Sequence, residues 1–354
     1  MTDTIDITIN EISESRISEF DQDNLVFGKT YSDHMFVADY VDGEWKDFRI
    51  EPYGNLNISP ANSALHYGQS IFEGLKAHKS PEGDVLVFRP ERNAARLNRS
   101  AERMCIPELP EEIFMQGLHE LLKLDKNWVP DRPGTSLYIR PFIFAMDPYI
   151  GIKPSETYKF MIFTAPVGAY YSEPVRVKIE TEYTRASEGG TGAAKTAGNY
   201  AAALYPAVQN QKNGYHQLIW TDGKTHEYIE ESGTMNVLFY INDTLLTAPT
   251  GDTILNGITR DSVLTLAREW GLNVEERPIK VEEIVNAAKN GTLKEAFGAG
   301  TAATIAHIKT IGHNGVDYDL PAIDENSLGA RLMKELSAIK TGETSDKHNW
   351  IFKI

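Results

Sequence analysis

The sequence predicts a mixed α and β fold that is divided into two domains. Apolar runs of strand length alternate with helical patterns, and several Asp-Gly and Asn-Gly dipeptides mark tight turns between them. The chain has 354 residues, of which 41% are hydrophobic, so it is long enough for two cores. Because hairpin turns join antiparallel neighbours, we expect antiparallel or mixed sheets.

The first half of the chain opens with a predicted hairpin between Asp33 and Ile50. Its apolar arms flank Asp42-Gly43, a dipeptide suited to a type I′ turn. Pro90 stands where a helix through Met104 would begin, because proline is favoured in the first helical turn. Further elements of this half are predicted as a helix at 110–123 and strands at 85–88, 137–145 and 159–165.

The second half predicts strands and helices that are bounded by glycine. A helix after Asn256-Gly257 is expected to end at Gly271, and Asn314-Gly315 is expected to form another hairpin turn. Its other elements are predicted as strands at 217–220, 237–240 and 245–248, a helix at 281–289 and a strand ending near 297. Pro166 to Pro174 resembles a connector, so we expect a small α/β domain at 1–165, a connector at 166–178 and a larger domain at 179–354.

Composition excludes some partners. A net charge of −15 argues against nucleic acid or an anionic membrane surface, because both require a basic face. The single cysteine, Cys105, excludes an internal disulfide framework, and we expect it to be buried in a core. The first 23 residues contain no secretory signal, and no apolar run could span a bilayer, so we expect a cytoplasmic protein.

Lys195 is the candidate catalytic residue. It is the only charged residue between Glu188 and Lys212, and glycine, alanine and threonine surround it. Such surroundings suggest a desolvated amine, which is a better nucleophile than a solvated one and suits Schiff-base chemistry with pyridoxal phosphate. The alternative is a lysine that extends from a loop of small residues into water.

A pyridoxal phosphate enzyme also needs an acid for the pyridine nitrogen and a cradle for the phosphate. Glu231 precedes the apolar run Val237–Tyr240 and could be that acid, although a solvated glutamate at a strand end fits equally well. The helix that begins near Gly257-Ile258-Thr259 offers unpaired N–H groups to a phosphate, and Gly300-Thr301 offers a second turn of small residues.

Arginines are natural partners of phosphate and carboxylate groups. On the residues alone, Arg96 in a helical pattern and Arg185 before the lysine loop are expected to be surface charges. Arg140 interrupts an apolar strand, and a buried arginine requires an anion. The run Gly298–Ala303 matches part of a dinucleotide-binding fingerprint, but no βαβ unit with a later acidic residue follows it. No metal site is expected.

Ordered motifs along nearly the whole chain resemble the branched-chain amino acid aminotransferases of the fold-type IV pyridoxal phosphate enzymes. The motifs are Phe27–Thr30 with Asp33–Met35, His66-Tyr67 with Phe72–Ala77, Tyr138–Pro141, the lysine loop to Tyr200, Glu231–Asn236, Gly257–Arg260 and Phe297–Ala302. Some eukaryotic members carry a Cys-x-x-Cys pair where this chain has Ala303 and Ala306, so a thiol switch is excluded here.

The resemblance implies a role for each matching residue. Lys195 would form the Schiff base and move the proton, while Tyr200 would bond to the cofactor's phenolic oxygen and Glu231 to its pyridine nitrogen. The residues implied to hold the phosphate or pack on the ring are Arg96, Arg185, Thr234, Leu255, Gly257, Ile258, Thr259 and Thr301. The residues implied to bind substrate are Phe27, Tyr67, Phe72, Gly74, Tyr138, Arg140, Tyr170 and Ala302, with Ile152 in a loop that reaches a neighbouring subunit in a homodimer or larger assembly.

The implied reaction transfers the amino group of leucine, isoleucine or valine to 2-oxoglutarate. A D-amino acid aminotransferase and an aminodeoxychorismate lyase-like enzyme share the fold and remain alternatives. A nicotinamide-dependent oxidoreductase built around Gly298–Ala303 and a non-catalytic binding protein are hypotheses of other classes.

Overall fold

The structure is a computed structural model that describes residues 5–354. The chain divides into two compact units, which are treated separately below. The first unit comprises the chain up to Tyr170, together with Ala194–Ala197 and Ala338–Ile354. The second unit comprises Tyr171–Ala193 and Gly198–Ser337. The C-terminal segment from Ala338, which we expected in the second domain, therefore belongs to the first unit.

The described residues form two sheets and eight α-helices. The strands are β1 (Thr8–Ile9), β2 (His34–Val41), β3 (Glu44–Pro52), β4 (Ser70–Phe72), β5 (Leu75–Lys79), β6 (Val85–Phe88), β7 (Ser136–Ala145), β8 (Tyr158–Val167), β9 (Val175–Ile179), β10 (Gln217–Thr221), β11 (Tyr228–Ser232), β12 (Asn236–Ile241), β13 (Thr244–Thr247), β14 (Asn273–Glu276), β15 (Ile279–Lys280), β16 (Leu293–Gly300), β17 (Thr304–His313), β18 (Val316–Asp319) and β19 (Ile351–Lys353). The helices are α1 (Ser63–Tyr67), α2 (Pro90–Arg103), α3 (Glu111–Leu124), α4 (Ala197–Ala202), α5 (Leu204–Lys212), α6 (Ile258–Glu269), α7 (Val281–Lys289) and α8 (Leu328–Thr341).

The sheet of the first unit has the order β1-β3-β2-β8-β7-β5-β6-β19, and β4 pairs with β7. All of these pairs are antiparallel except β1 with β3. Alternate residues such as Phe36 and Ile139 join the helix residues Leu97, Phe114 and Leu121 in one core. Because side chains alternate along a strand, the residues between these core positions point to the other face of the sheet.

The hairpin turns form where the sequence predicts them. Asp42 and Gly43 both have positive φ (57° and 86°), as a type I′ turn requires, and they connect β2 to β3. Asn314 and Gly315 also have positive φ and connect β17 to β18. Gly271 has a φ of 77° after α6, which agrees with its predicted role as a helix terminator.

The sheet of the second unit has the order β14-β13-β12-β16-β17-β9-β10-β11-β15, and β18 pairs with β17. The pairs β13–β14, β9–β10 and β9–β17 are parallel, whereas the others are antiparallel. The predicted class, a mixed α and β fold with antiparallel and mixed sheets, is confirmed. Among residues 5–354, no helix is long and apolar enough to cross a membrane.

The connector and the cysteine both differ from the expectation. The connector expected at 166–178 is interrupted, because β8 continues to Val167 and β9 occupies Val175–Ile179. The residues of β9 are alternately buried and half-buried, and this period of two is a strand signal that the prediction missed. Cys105 is exposed rather than buried, and it has a φ of 54° just after α2.

Candidate active site

The backbone of Lys195 is fixed by two other elements of the first unit. Its N–H donates to Ser100 Oγ of α2 at 2.9 Å, and its carbonyl accepts from the Phe72 N–H of β4 at 3.0 Å. The neighbouring Thr196 Oγ1 donates to the Ser70 carbonyl at 2.8 Å. The Lys195 side chain is half-buried, and its Nζ lies 4.8 Å from the centre of the Phe72 ring. The amine is therefore held at a defined place beside an aromatic face.

Glu73 and Arg96 form a buried ion pair in the same unit. Arg96 Nε lies 2.7 Å from Glu73 Oε1 and its Nη2 lies 2.8 Å from Oε2, while Asn93 Nδ2 donates to Oε2 at 2.8 Å. Burial alone would raise the pKa of Glu73, but the charges of Arg96 and Lys195 and the bond from Asn93 lower it below its usual value. Arg96 is thus fully buried and paired with a carboxylate, which its position in a helical pattern did not indicate.

Several of the predicted substrate residues form an aromatic cluster. The Phe27 ring lies 5.0 Å from the Tyr138 ring and 5.6 Å from the Tyr170 ring, edge to face in both cases. Gly74 lies directly under Tyr138, because a Cβ at this position would overlap the Tyr138 hydroxyl. A side chain at position 74 would therefore displace that hydroxyl.

Arg140 lies against the same cluster. Its guanidinium carbon is 4.6 Å from the Phe72 ring centre and 5.2 Å from that of Tyr138, and its Nη2 donates to the Tyr138 hydroxyl at 2.8 Å. Its Nε is buried and has no hydrogen-bond partner, and no carboxylate of the described residues forms an ion pair with it. The charge is therefore available to an anionic ligand.

Tyr67 and the segment around Ile152 lie at the surface of the first unit. Tyr67 is 43% exposed at the end of α1, and its hydroxyl donates to the Ile150 carbonyl. Ile152 is 91% exposed, an unusual position for an isoleucine.

In the second unit, Arg185 and Glu231 form a second buried ion pair. Arg185 Nη2 lies 2.6 Å from Glu231 Oε1, and it also donates to the carbonyls of Gly192 and Thr253. Asn236 Nδ2 donates to Glu231 Oε2 at 2.9 Å. Glu231 lies within β11 and is 5% exposed, so it is not the solvated strand-end residue that the sequence left open.

The residues predicted to bind the phosphate through their amides lie at the first turn of α6. Gly257 is the N-cap, and no side chain of the described residues caps the helix there. A Cβ at Gly257 would overlap Asn236 Oδ1, so only glycine fits between Asn236 and the helix. The amides of Ile258 and Thr259 are therefore at an uncapped helix N-terminus, which favours anions.

The remaining predicted residues of the second unit lie near strand ends and turns. Thr234 is exposed between β11 and β12, and Leu255, which is half-buried, accepts from Asn236 through its carbonyl. Tyr200 lies in α4. Thr301 and Ala302 lie in the turn that joins β16 to β17, with Gly300 paired to Thr304. The run Gly298–Ala303 thus forms a hairpin rather than the strand-to-helix turn of a dinucleotide fingerprint, which removes the structural basis for the nicotinamide hypothesis.

Within residues 5–354, no cluster of histidine, cysteine, aspartate or glutamate side chains could hold a metal ion. Sequence reasoning gave no role to Glu73, Asn93 or Asn236, although they contact the predicted site residues Arg96, Gly74 and Glu231, respectively. The signal that could have found Glu73 is its position inside the motif Phe72-Glu73-Gly74, where a charged residue stands among apolar ones.

Comparison with known proteins identifies the family. The family described as amino-transferase class IV matches residues 70–311. A curated relative, branched-chain-amino-acid aminotransferase 2 of Bacillus subtilis (strain 168), is 43% identical over 348 residues, covering 97% of this chain and 96% of the relative. The chain belongs to the class IV aminotransferases.

Other members of the class IV aminotransferases agree. The branched-chain-amino-acid aminotransferase of Mycolicibacterium smegmatis is 42% identical, over 94% of this chain and 92% of the relative. Among solved structures, the branched-chain aminotransferase of Thermoproteus uzoniensis with norvaline matches with a TM-score of 0.75 and 25% identity, over 90% of this chain and 99% of that one. The Escherichia coli branched-chain amino acid aminotransferase matches with a TM-score of 0.73 and 26% identity, over 90% and 98%. The fold-type IV architecture is therefore confirmed.

Proposed function

We propose that this chain is a pyridoxal phosphate-dependent branched-chain amino acid aminotransferase that transfers the amino group of leucine, isoleucine or valine to 2-oxoglutarate. The observation that carries the proposal is the 43% identity over 97% of this chain to a relative named for this activity. The fixed position of Lys195 beside Phe72 supports its assignment as the residue that carries the cofactor.

The residues present fit pyridoxal phosphate. Lys195 supplies an amine, and Glu231 supplies a buried carboxylate whose orientation is set by Arg185 and Asn236. Arg185 also has a buried Nε without a hydrogen-bond partner among the described residues, which leaves it a donor for an anion. The uncapped N-terminus of α6 at Ile258 offers backbone donors for the phosphate.

Pyridoxal phosphate supplies an aldehyde and an electron-withdrawing pyridine ring that stabilises negative charge at the substrate Cα. The Lys195 amine would hold the cofactor through its aldehyde group, and the same amine, once free, would accept the substrate Cα proton. The buried Glu231 carboxylate would face the pyridine nitrogen and keep it protonated. Tyr200 is proposed to bond to the phenolic oxygen, with Leu255 against the ring.

The phosphate is proposed to bind through positive charge and short hydroxyl or amide donors: Arg96, Arg185, Thr234, Gly257, Ile258, Thr259 and Thr301. Arg96 and Arg185 already have carboxylate partners, Glu73 and Glu231. Each guanidinium carries five donors, so an arginine can serve a carboxylate and a phosphate together.

One pocket must accept both an aliphatic and an anionic side chain. The rings of Phe27, Phe72, Tyr138 and Tyr170, together with Gly74, are proposed to form its apolar wall. The family resemblance assigns the α-carboxylate to Tyr67 and to the Thr301-Ala302 backbone. Arg140, whose Nε is buried without a partner, is proposed to bind the distal carboxylate of 2-oxoglutarate. Because one methylene group changes binding by only about 1–3 kcal/mol, overlapping activity on leucine, isoleucine and valine is expected.

A homodimer or larger assembly is also proposed. Tyr149, Ile150 and Ile152 are 51%, 63% and 91% exposed, and a run of exposed apolar residues is typical of a contact surface between subunits. We place the enzyme in the cytoplasm, where its single cysteine would stay reduced.

The reaction is tested by assaying L-leucine and D-alanine separately as donors with 2-oxoglutarate. We expect glutamate formation with L-leucine and none above background with D-alanine. Turnover of D-alanine alone would instead indicate a D-amino acid aminotransferase, and glutamate formation from neither donor would contradict the proposed reaction.

A further inference from the structure

A β-bulge in the second unit places two neighbouring carboxyl residues, Glu230 and Glu231, opposite one residue of the adjacent strand. The register between β10 and β11 pairs Ile219 with Ser232 but Thr221 with Ile229. One residue of β10, Trp220, therefore lies opposite Glu230 and Glu231 of β11. A bulge interrupts the alternation of side chains and re-aims them, so adjacent residues can approach the same group.

The two carboxyls are not equally partnered. Glu231 has the direct ion pair with Arg185 at 2.6 Å and the bond from Asn236. Glu230 is 7% exposed and bonds to the Thr253 side chain, but its Oε2 is buried and has no hydrogen-bond partner among residues 5–354. A buried ionised carboxylate with an unpartnered oxygen is costly, whereas a protonated carboxyl is far less so.

Burial and the neighbouring negative charges both raise the pKa of Glu230. Burial raises its pKa to about 7, against the effects of Thr253 and the Arg185 charge, and the negative charges of Glu231 and Asp222 raise it further. The facing groups are therefore Arg185 from the loop before Lys195, Asp222 from the turn after β10, Thr253 from the turn before α6, and Glu231 on β11 itself.

We propose that Glu230 is a positioning residue that stores a proton: while it is protonated, Arg185 is committed to Glu231, and when it ionises, the two carboxylates compete for that one guanidinium. The inference rests on the proposed function in so far as Glu231 serves the pyridine nitrogen. The competition predicts that the affinity for the cofactor falls as Glu230 loses its proton. Arg185 Nη2 also donates to the carbonyl of Gly192, in the loop that leads into Lys195. A change in the position of Arg185 would therefore also weaken the hydrogen bond that holds this loop.

The test compares wild-type protein with Glu230→Gln, which imitates the protonated carboxyl, and with Glu227→Gln, which removes an exposed carboxyl nearby. The first measurement is the thermal unfolding midpoint of the full chain without cofactor between pH 4.5 and 9. The folded pKa of Glu230 is raised from 4.5 to about 7, so wild-type stability falls as pH rises through this window and then levels off. We expect the Glu230→Gln midpoint to rise relative to wild type over the same window, and the Glu227→Gln difference to stay flat.

The second measurement is the dissociation constant of pyridoxal phosphate at pH 6 and pH 8. Relative to Glu230→Gln, wild-type affinity should fall roughly three- to tenfold over this interval, the size of a typical coupling between neighbouring groups. If Glu230 had a purely structural role, the dissociation constants of wild type and Glu230→Gln would change by the same factor between pH 6 and pH 8. Parallel pH profiles of wild type and Glu230→Gln in both measurements would overturn the inference. Failure of wild type to bind the cofactor would contradict the proposed function, and the unfolding profiles would then decide alone whether Glu230 holds the proton.

Discussion

Arg185 and Glu231 form a buried ion pair in which Nη2 and Oε1 are 2.6 Å apart, so the carboxylate assigned to the pyridine nitrogen is already oriented by the protein. Its second oxygen accepts from Asn236 at 2.9 Å. Holding a charged group in place before the ligand arrives lowers the reorganisation that the reaction requires.

Replacing Glu231 by glutamine is therefore expected to lower kcat by about 10²-fold or more, because the neutral amide cannot hold the ring proton. The measurement is steady-state kinetics with L-leucine and 2-oxoglutarate. Glu282→Gln, which removes an exposed carboxyl in α7, is the matched control and should behave as wild type. Unchanged kcat in Glu231→Gln would remove Glu231 from the mechanism.

Glu73→Gln tests the other buried ion pair. Breaking such a pair by removing one charge costs about 3–5 kcal/mol, because Arg96 is left buried with its charge uncompensated. The free energy of unfolding from urea denaturation at pH 7 should fall by roughly this amount. Glu82→Gln, at an exposed turn, should change it little.

The same pair predicts the acid sensitivity of the fold. The folded-state pKa of Glu73 lies below its usual value of 4.5, so its contribution to stability is present above pH 4.5 and is lost as pH falls through the lowered value. Wild type should lose stability in this acid range, and Glu73→Gln should lose less of it. Equal acid profiles for the two proteins would contradict this account of Glu73.

Arg140→Gln should separate the two substrates. The Michaelis constant for 2-oxoglutarate is expected to rise about ten- to hundredfold, the worth of one hydrogen bond to a charged group, whereas the constant for leucine should change far less. Arg132→Gln, which removes an exposed arginine of the same unit, is the control. Equal increases for both substrates would show that Arg140 only supports the aromatic cluster.

Gly257→Ala should weaken cofactor binding. The added Cβ would overlap Asn236 Oδ1, so either Asn236 or the first turn of α6 must move. Gly251→Ala, where a Cβ meets no atom within 4 Å, is the matched control in the same segment. We expect a larger dissociation constant for pyridoxal phosphate only in Gly257→Ala, measured by absorbance titration. An unchanged constant would argue against a phosphate site at this helix terminus.

Much of the fold was predictable from local signals. Asp42-Gly43 and Asn314-Gly315 fix their turns through positive φ, a property of those residues that does not depend on distant parts of the chain. The strand β11 was missed because Glu230 and Glu231 make it look solvated, and only burial against Arg185 and Thr253 explains them. Local strand propensity cannot predict contacts between residues that are far apart in the chain.

The candidate site was predictable in its residue types but not in its partnerships. Lys195 was conspicuous because it stands alone among small residues, whereas the bonds from its backbone to Ser100 and Phe72 join segments far apart in the chain. Arg96 resembles a surface charge in the sequence, because its partner Glu73 lies in a different segment of the chain.

The most direct test of the central claim is borohydride reduction of the purified protein with pyridoxal phosphate, followed by mass mapping of its peptides. The proposed function predicts one reduced adduct, located on Lys195, and none in Lys195→Ala, while Lys212→Ala should retain it. An adduct on another lysine, or none in wild-type protein, would contradict the claim that Lys195 carries the cofactor.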